Sequence, residues 1–170
     1  IIAAVAAEGD EAVVRFTNEF DHRDAERIEA FCLTPEQLNQ SMTLIDAGVR
    51  DALSDAADRI RDFHERQLAL SWHYEDADGN VLGQRVSALD CVGIYVPGGR
   101  ASYPSSVLMN AIPAKVAGVS DIVMVAPAPK GELNPVVLAA AKLAGVDRVY
   151  SVGGAQAVAA LAYGTETIPS

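Results

Sequence analysis

The chain has 170 residues, of which 50% are hydrophobic and 21% are charged, a composition typical of a globular protein that buries a core. Its 13 basic and 23 acidic residues give a formal net charge of -10. Because this charge repels phosphates and anionic lipid headgroups, nucleic acid and membrane surfaces are excluded as expected partners. The longest apolar region, residues 111–128, contains Lys115 and Asp121 and therefore predicts no membrane-spanning segment.

The cysteines and the N-terminal residues indicate the setting of the protein. Cys32 and Cys91 lie far apart, without a CxxC spacing, which predicts neither a disulfide framework nor a zinc site. A reducing cytoplasm is therefore the expected location. Residues 1–7 lack the basic leader of a secretory signal, and they resemble the middle of a helix without a preceding cap. We expect the sequence to be a fragment of a longer protein.

The character of the sequence changes near Asp90. Residues 1–89 are charged and have the periodicity of helices, whereas residues 90–170 are rich in Ala, Val, Gly and Pro. The chain is therefore predicted to divide into a helical N-terminal region with a hairpin, residues 1–89, and a second unit, residues 90–170. Within the first unit, Gly9 is expected to end one helix and Asp10 to cap the next.

Thr34, Pro35 and Gln37 form the pattern of a helix N-terminus. Thr34 takes the N-cap position, Pro35 the first helical position, and Gln37 can complete a capping box. One long packing helix is expected to start there, because apolar residues then recur every three or four positions. This apolar stripe comprises Leu38, Met42, Ile45, Val49, Leu53, Ala56, Ile60 and Phe63.

A turn signal at Asp78 and Gly79 separates residues 72–74 from residues 81–82, and this arrangement predicts a β-hairpin. His64 precedes the hairpin and His73 lies within it. Each stands alone, so a structural or surface position is favoured over a metal-binding or catalytic role.

Three apolar runs alternate with helical stretches after Asp90. The runs lack the alternation of a half-exposed strand, which is typical of parallel strands buried on both faces. With right-handed crossovers, the pattern predicts an α/β fold: an N-terminal helical region and hairpin, followed by an incomplete Rossmann-like βαβαβα parallel sheet. The predicted strands are residues 92–96, 121–126 and 148–152, and the predicted helices are residues 105–117, 135–144 and 155–163.

Ligands of such sheets bind beyond the carboxyl ends of the strands, so the loops after the first and third predicted strands are candidate sites. The first loop contains Gly98, Gly99 and Arg100, and the third contains Gly154, with Gln156 in the first turn of the next helix. Glycines allow backbone amides to approach a phosphate closely, and Gln156 offers a donor and an acceptor. Neither loop matches GxGxxG, so these features leave a nucleotide site and an ordinary strand–helix turn equally open.

Four segments carry longer motifs: GDEA at residues 9–12, VGIYVPGG at 92–99, YPSSVLMNAIPAKVAGV at 103–119 and VGGAQAVAALAYGTETIP at 152–169. In sequence and in order, these motifs strongly resemble the histidinol dehydrogenase family. The resemblance covers essentially the whole chain and is highly specific. The chain is expected to span less than half of a typical member.

The resemblance implies an enzyme that oxidises L-histidinol through a bound aldehyde to L-histidine, the last step of histidine biosynthesis, in two NAD-dependent steps within a homodimer. It assigns NAD contacts to the tyrosine of YVPGG and the glutamine of GGAQA, which are Tyr95 and Gln156, with Gly98, Gly99 and Gly154 shaping the same site. On the residues alone, Tyr95 can instead end a strand against the core, and Gln156 can cap its own helix. Their places at the carboxyl ends of strands favour the cofactor site.

The resemblance also implies a zinc ion, whose ligands are expected beyond Ser170 together with the general bases and a further NAD-binding asparagine. No catalytic or metal-binding residue is therefore assigned in this chain, and the fragment alone is expected to be inactive. His22, His64 and His73 form no cluster of ligand spacing. Two alternatives remain: a related zinc and NAD dehydrogenase for another small alcohol such as sulfopropanediol, or a non-catalytic folding or dimerisation module.

Overall fold

The computed structural model describes residues 1–97 and 103–170. Within these residues, no helix combines the length and the apolarity that crossing a bilayer requires. The α-helices are α1 (Ile2–Glu8), α2 (Asp10–Asp21), α3 (Pro35–Leu44), α4 (Ala47–Glu65), α5 (Pro104–Val116), α6 (Pro135–Ala144) and α7 (Gly154–Tyr163). Short 3-10 turns occur at Ile28–Phe31 and Pro129–Gly131. The strands are β1 (Trp72–Glu75), β2 (Val81–Gln84), β3 (Cys91–Tyr95), β4 (Asp121–Val125) and β5 (Arg148–Tyr150).

The capping box predicted at the start of α3 is present. Thr34 Oγ1 accepts a hydrogen bond from the backbone N–H of Gln37 at 3.2 Å, and Gln37 Oε1 accepts one from the backbone N–H of Thr34 at 2.8 Å. Two amides that the helix itself leaves unpaired are thereby satisfied.

The prediction of one long helix after Thr34 is wrong, because α3 ends and α4 begins around Asp46. The Asp46 carboxylate accepts a hydrogen bond from the backbone N–H of Gly48 at 2.7 Å and so caps α4. The break also changes which residues are buried. Val49 and Phe63 from the predicted stripe are exposed, whereas Ala57 is buried.

Gly9 separates α1 from α2 as predicted, with a φ of +56° that favours glycine. The prediction that Asp10 caps α2 is wrong. Gly9 holds the N-cap position, and the Asp10 carboxylate instead accepts a hydrogen bond from the Thr167 hydroxyl at 2.5 Å. The backbone N–H of Asp10 donates to the Glu166 carboxylate at 3.0 Å, because the residues after α7 pack beside the start of α2.

The strands β3, β4 and β5 form a parallel sheet in that order, as the βαβαβα pattern predicts. Tyr95 pairs with Val125, and Val125 pairs with Tyr150, so the three strands end level with one another. The outer edge of β5 is covered by the segment after the first 3-10 turn, where the backbone N–H of Leu33 donates to the carbonyl oxygen of Val149 at 2.9 Å.

Side chains of β4 alternate between two hydrophobic cores, as successive residues of a strand do. Ile122 and Met124 pack with α3, α4, α5 and α6 on one face of the sheet. Val123 and Val125 pack with α1, α2 and α7 on the other. All four side chains are fully buried, which confirms the α/β class with helices on both faces of a parallel sheet.

The strands β1 and β2 form the predicted antiparallel hairpin, with Trp72 opposite Gln84. Every residue in both strands is exposed. Trp72 and Tyr74 lie on the same face with their rings stacked, 6.3 Å between centroids. The hairpin therefore takes no part in either hydrophobic core.

Candidate functional site

The level ends of the parallel strands bring together two of the predicted cofactor-binding segments. Tyr95 is the last residue of β3, and Gly154 is the first residue of α7. The backbone N–H of Gly154 donates a hydrogen bond to the Tyr95 hydroxyl oxygen over 3.4 Å. Because that oxygen accepts here, the phenol proton remains available to another acceptor. Tyr95 is 39% exposed, so a ligand can reach it.

Gln156 follows in the first turn of α7 and is buried, with 1% of its surface exposed. Its Oε1 has no hydrogen-bond partner among residues 1–97 and 103–170. A buried amide oxygen without a partner costs free energy in the folded state. Packing alone therefore explains this glutamine poorly, and a bound group that donates an N–H or O–H would satisfy it.

Gly154 lies between these two side chains and has no room for a side chain of its own. Its φ is +69°, and a Cβ there would stand 2.7 Å from Gln156 Oε1. Both the backbone conformation and the close approach of Oε1 require glycine. Gly154 and Ala155 are exposed, so the first turn of α7 presents bare backbone to solvent.

The connection from β5 to α7 crosses the carboxyl end of β4 on its way to Tyr95. Gly153 is buried, and a Cβ there would overlap the Cβ of Pro127 and stand 2.9 Å from the Pro127 Cα. Pro127 lies two residues beyond the end of β4. Beyond this crossing, α7 packs under β3, where Leu161 lies against Gly93. Sequence patterns gave no role to Pro127, although a proline after a buried strand marks a rigid loop.

Three titratable groups in and beside the sheet have raised pKa values: Tyr150 and Cys32 lie at its carboxyl end, and Cys91 lies at its amino end. Burial raises the pKa of the Tyr150 phenol, whose hydroxyl donates to the Thr167 carbonyl oxygen at 3.1 Å. Burial likewise raises the pKa of the Cys32 and Cys91 thiols. These thiols therefore stay protonated near neutral pH and are poor nucleophiles.

Two of the predicted glycines, Gly98 and Gly99, lie outside the described residues, as does Arg100. Within residues 1–97 and 103–170, no group of three or more His, Cys, Asp or Glu side chains is arranged to hold a metal ion. Tyr95, Gly154 and Gln156 are thus the predicted site residues that the structure brings together.

A separate cavity of about 500 Å³ opens beside β5 and is lined by Arg23, Phe31, Gln37, Leu138 and Ser151, among others. The Arg23 guanidinium lies 4.9 Å from the centre of the Phe31 ring. Its hydrogen bonds to the Ala128 carbonyl oxygen and the Ser151 hydroxyl are long, 3.4 and 3.5 Å. The cavity does not include Tyr95 or Gln156, so it is distinct from the candidate site.

The chain is similar to known proteins along its whole length. A family model described as histidinol dehydrogenase matches residues 1–170. Histidinol dehydrogenase from Pseudomonas aeruginosa is 61% identical over 169 residues, 99% of this chain and 38% of the relative. That from Chromobacterium violaceum is 62% identical over 169 residues, 99% of this chain and 39% of the relative.

The similarity extends to the three-dimensional structure. The crystal structure of histidinol dehydrogenase from Elizabethkingia anophelis superposes with a TM-score of 0.90 at 31% sequence identity, covering 99% of this chain and 39% of that one. The chain thus spans 38–39% of the length of these relatives. With its whole length matched by the family model, and with relatives and fold in agreement, the chain belongs to the histidinol dehydrogenase family.

Proposed function

We propose that the whole protein is an oxidoreductase that oxidises L-histidinol through the aldehyde to L-histidine, and that this chain supplies part of its NAD site. The family and the names of its relatives support the substrate. The observation that carries the cofactor assignment is the convergence of Tyr95, Gly154 and Gln156 at the ends of parallel strands. Ligands of open α/β sheets bind in this position.

The groups at this position fit part of a dinucleotide. Gln156 Oε1 is buried without a partner in the described part of the chain, and NAD carries amide, amino and hydroxyl donors. The Tyr95 hydroxyl accepts from Gly154 and can donate its proton to a ligand oxygen. Gly154 and Ala155 leave the first turn of α7 open to close approach by a ligand. Gly98 and Gly99 complete the proposed NAD-binding set, and residues 90–170 the proposed NAD-binding half-domain.

When bound, NAD would accept the hydride that leaves the substrate carbon. Two such transfers and one water convert the alcohol to the acid, so two NAD molecules are reduced for each L-histidinol. In this scheme Tyr95 and Gln156 bind and orient the cofactor and transfer no proton. No acid or base of the reaction is assigned to this chain.

The resemblance implies zinc and a homodimer, the positions of the two cysteines favour a cytoplasmic location, and we include all three in the proposal. No metal ligand is assigned within residues 1–97 and 103–170, where acidic, histidine and cysteine side chains form no suitable group. The contribution of this chain is the shape and polarity of the NAD site.

The test is the appearance of NADH when the full-length protein, supplied with zinc, receives NAD and L-histidinol. Saturable turnover with close to two NADH formed per L-histidinol consumed would support the proposal. Turnover on sulfopropanediol or another small alcohol, without turnover on L-histidinol, would keep the cofactor assignment and overturn the substrate. Failure to bind NADH would contradict both the cofactor assignment and the proposed reaction.

A further inference from the structure

We propose that the contact between Gly153 and Pro127 positions the NAD site, so that Gly153 acts through Gly154 and Gln156 without touching the cofactor. The inference rests on the proposed function, because it takes the Tyr95, Gly154 and Gln156 cluster as the place where NAD binds. It adds two positioning residues, one on each of two neighbouring strand ends.

Gly153 is required by space and not by backbone conformation. Its φ is -137° and its ψ is -169°, an extended conformation that every residue type adopts. A Cβ at this position would nevertheless overlap the Cβ of Pro127 and stand 2.9 Å from both the Cα and the Cγ of Pro127. The absence of a side chain at Gly153 therefore allows the loop after β5 to approach the loop after β4 closely. Gly154 differs in this respect, since its φ of +69° already favours glycine.

The loop that carries Pro127 is anchored to the end of the central strand. Pro127 follows Val125 and Ala126 at the end of the central strand, and both of these are buried. The backbone N–H of Ala126 donates to the Tyr150 carbonyl oxygen at 3.1 Å, and the backbone N–H of Val96 donates to the Val125 carbonyl oxygen at 2.9 Å. A side chain at Gly153 is therefore expected to displace the start of α7, where Gly154 and Ala155 are exposed and no side chain caps the helix.

Displacement of the start of α7 would act directly on the candidate site. The amide that contacts Tyr95 belongs to the very next residue, and its 3.4 Å hydrogen bond is already near the outer limit for such a bond. Gln156 lies two residues further along, in the same first turn of the helix, and is buried. Moving this turn by even a few tenths of an ångström would separate Gly154 from Tyr95 and redirect the Gln156 amide.

The experiment uses the full-length, zinc-supplied protein and measures the dissociation constant for NADH from its fluorescence, alongside the KM for NAD and kcat. Gly153→Ala is expected to raise the dissociation constant and the KM roughly tenfold, with a much smaller change in kcat. Adding Pro127→Gly to Gly153→Ala removes the clashing Cβ and Cγ and is expected to recover most of the loss. Such recovery is the non-additivity that two residues in contact show.

Gly83→Ala is the matched control, because a Cβ at Gly83 would crowd the His73 Cα at 2.8 Å in the exposed hairpin. It imposes similar strain outside the site and should leave NADH affinity unchanged. Thermal unfolding of each variant shows whether it is folded at the assay temperature. Should Gly153→Ala not fold, Pro127→Gly alone carries the test. It adds no atoms but removes the contact, and the inference then requires it to weaken NADH binding.

Three results would overturn the inference: wild-type NADH affinity in Gly153→Ala, a loss that Pro127→Gly fails to relieve, or an equal loss in Gly83→Ala. Tyr95→Phe in the same titration separates this failure from failure of the proposed function. If Tyr95→Phe weakens NADH binding but Gly153→Ala does not, the proposed NAD site is supported and the positioning role of the Gly153–Pro127 contact is contradicted. If the wild-type protein binds no NADH, the proposed function itself fails.

Discussion

The carboxylate of Glu166 caps the backbone N–H of Asp10 across 3.0 Å, although 156 residues separate them in sequence. The same carboxylate lies over Gly9, where a Cβ would stand 2.9 Å from the Glu166 Oε1. The chain segment after α7 thus supplies the acceptor that the start of α2 lacks locally. A carboxylate at a helix N-terminus is also favoured by the helix dipole.

Replacing Glu166 with glutamine is expected to lower the unfolding temperature at neutral pH. The hydrogen bond from Asp10 holds the pKa of the Glu166 carboxyl below its ordinary value. A carboxyl with a lower pKa in the folded state contributes stability above its unfolded pKa and loses that contribution as the pH falls through the folded pKa. The difference between wild type and Glu166→Gln should therefore be present at about pH 7 and shrink toward about pH 3.

Circular dichroism melts across this pH range provide the measurement for Glu166→Gln. Glu19→Gln, which changes an exposed carboxylate within α2, serves as the control and should show a smaller difference. A Glu166→Gln effect that stays constant down to about pH 3 would show that charge has no part in the cap.

Removal of the Tyr95 hydroxyl is expected to weaken NAD binding while leaving the fold intact. Tyr95→Phe loses the acceptor for the Gly154 amide and the donor offered to the cofactor. One or two hydrogen bonds at a partly exposed site correspond to roughly a two- to tenfold rise in the KM for NAD. Initial-rate kinetics of the full-length protein would measure it. An unchanged KM for NAD would show that the Tyr95 hydroxyl does not contribute to NAD binding.

Gln156 offers a prediction in which stability and function move in opposite directions. Because Oε1 is buried without a partner in the described part of the chain, Gln156→Met should raise the free energy of unfolding by roughly 1 kcal/mol. The same substitution should raise the KM for NAD, since it deletes the proposed acceptor. Thermal or chemical unfolding combined with initial rates would measure both.

Thr17→Val is the matched control for Gln156→Met. The Thr17 hydroxyl is likewise buried, with no hydrogen-bond partner among residues 1–97 and 103–170, but it lies in α2, away from the strand ends. It should stabilise the protein without altering the KM for NAD. Loss of stability in Gln156→Met would mean that the glutamine packs as a structural residue.

Features that depend only on residues close in sequence could be predicted from the sequence. The capping box of Thr34 and Gln37 spans four consecutive residues and was predictable from them alone. The break before α4 was missed because the apolar period of α3 continues across it in phase. The available signal was Asp46 itself, a good N-cap residue placed before Gly48. Glu166 was unpredictable as a cap, since nothing near it in sequence shows that it meets Asp10.

The candidate site was predictable to the level of the strand ends. The βαβαβα pattern and the family motifs placed Tyr95, Gly154 and Gln156 at the carboxyl edge of the sheet. The bond from Gly154 to Tyr95 depends on how the connection after β5 crosses β4, and sequence periodicity carries no information on that path. The close approach of Gly153 to Pro127 is of the same kind. Neither contact can be inferred without the structure, because both depend on the three strands ending level with one another.

The cap at Asp46 yields a stability prediction that follows from the corrected helix boundary. Asp46→Ala removes the acceptor for the Gly48 amide at the start of α4 and should cost about 1 kcal/mol of unfolding free energy. Asp46→Ser or Asp46→Asn should retain most of the wild-type stability, because both side chains cap helices well. Urea denaturation would measure the series. A loss shared equally by all three variants would contradict capping as the cause.

Asp147 should be more important to stability than the salt bridge it forms. Its Oδ2 accepts from Lys115 Nζ at 2.7 Å and from the backbone N–H of Ile122 at 2.8 Å. Lys115→Met removes only a partly exposed ion pair and should cost about 0–1 kcal/mol. Asp147→Ala also leaves an amide of the fully buried Ile122 without its acceptor, and should cost roughly 1–3 kcal/mol.

Asp147→Asn separates the two contributions of Asp147, because its amide oxygen can still accept from Ile122 while its charge is gone. Its cost should match that of Lys115→Met, since both remove the ion pair and keep the backbone hydrogen bond. Urea denaturation at low and high salt would measure all three variants, with salt weakening only the ion-pair contribution. If Asp147→Asn is as destabilising as Asp147→Ala, then charge, and not the hydrogen bond to Ile122, holds this corner of the sheet.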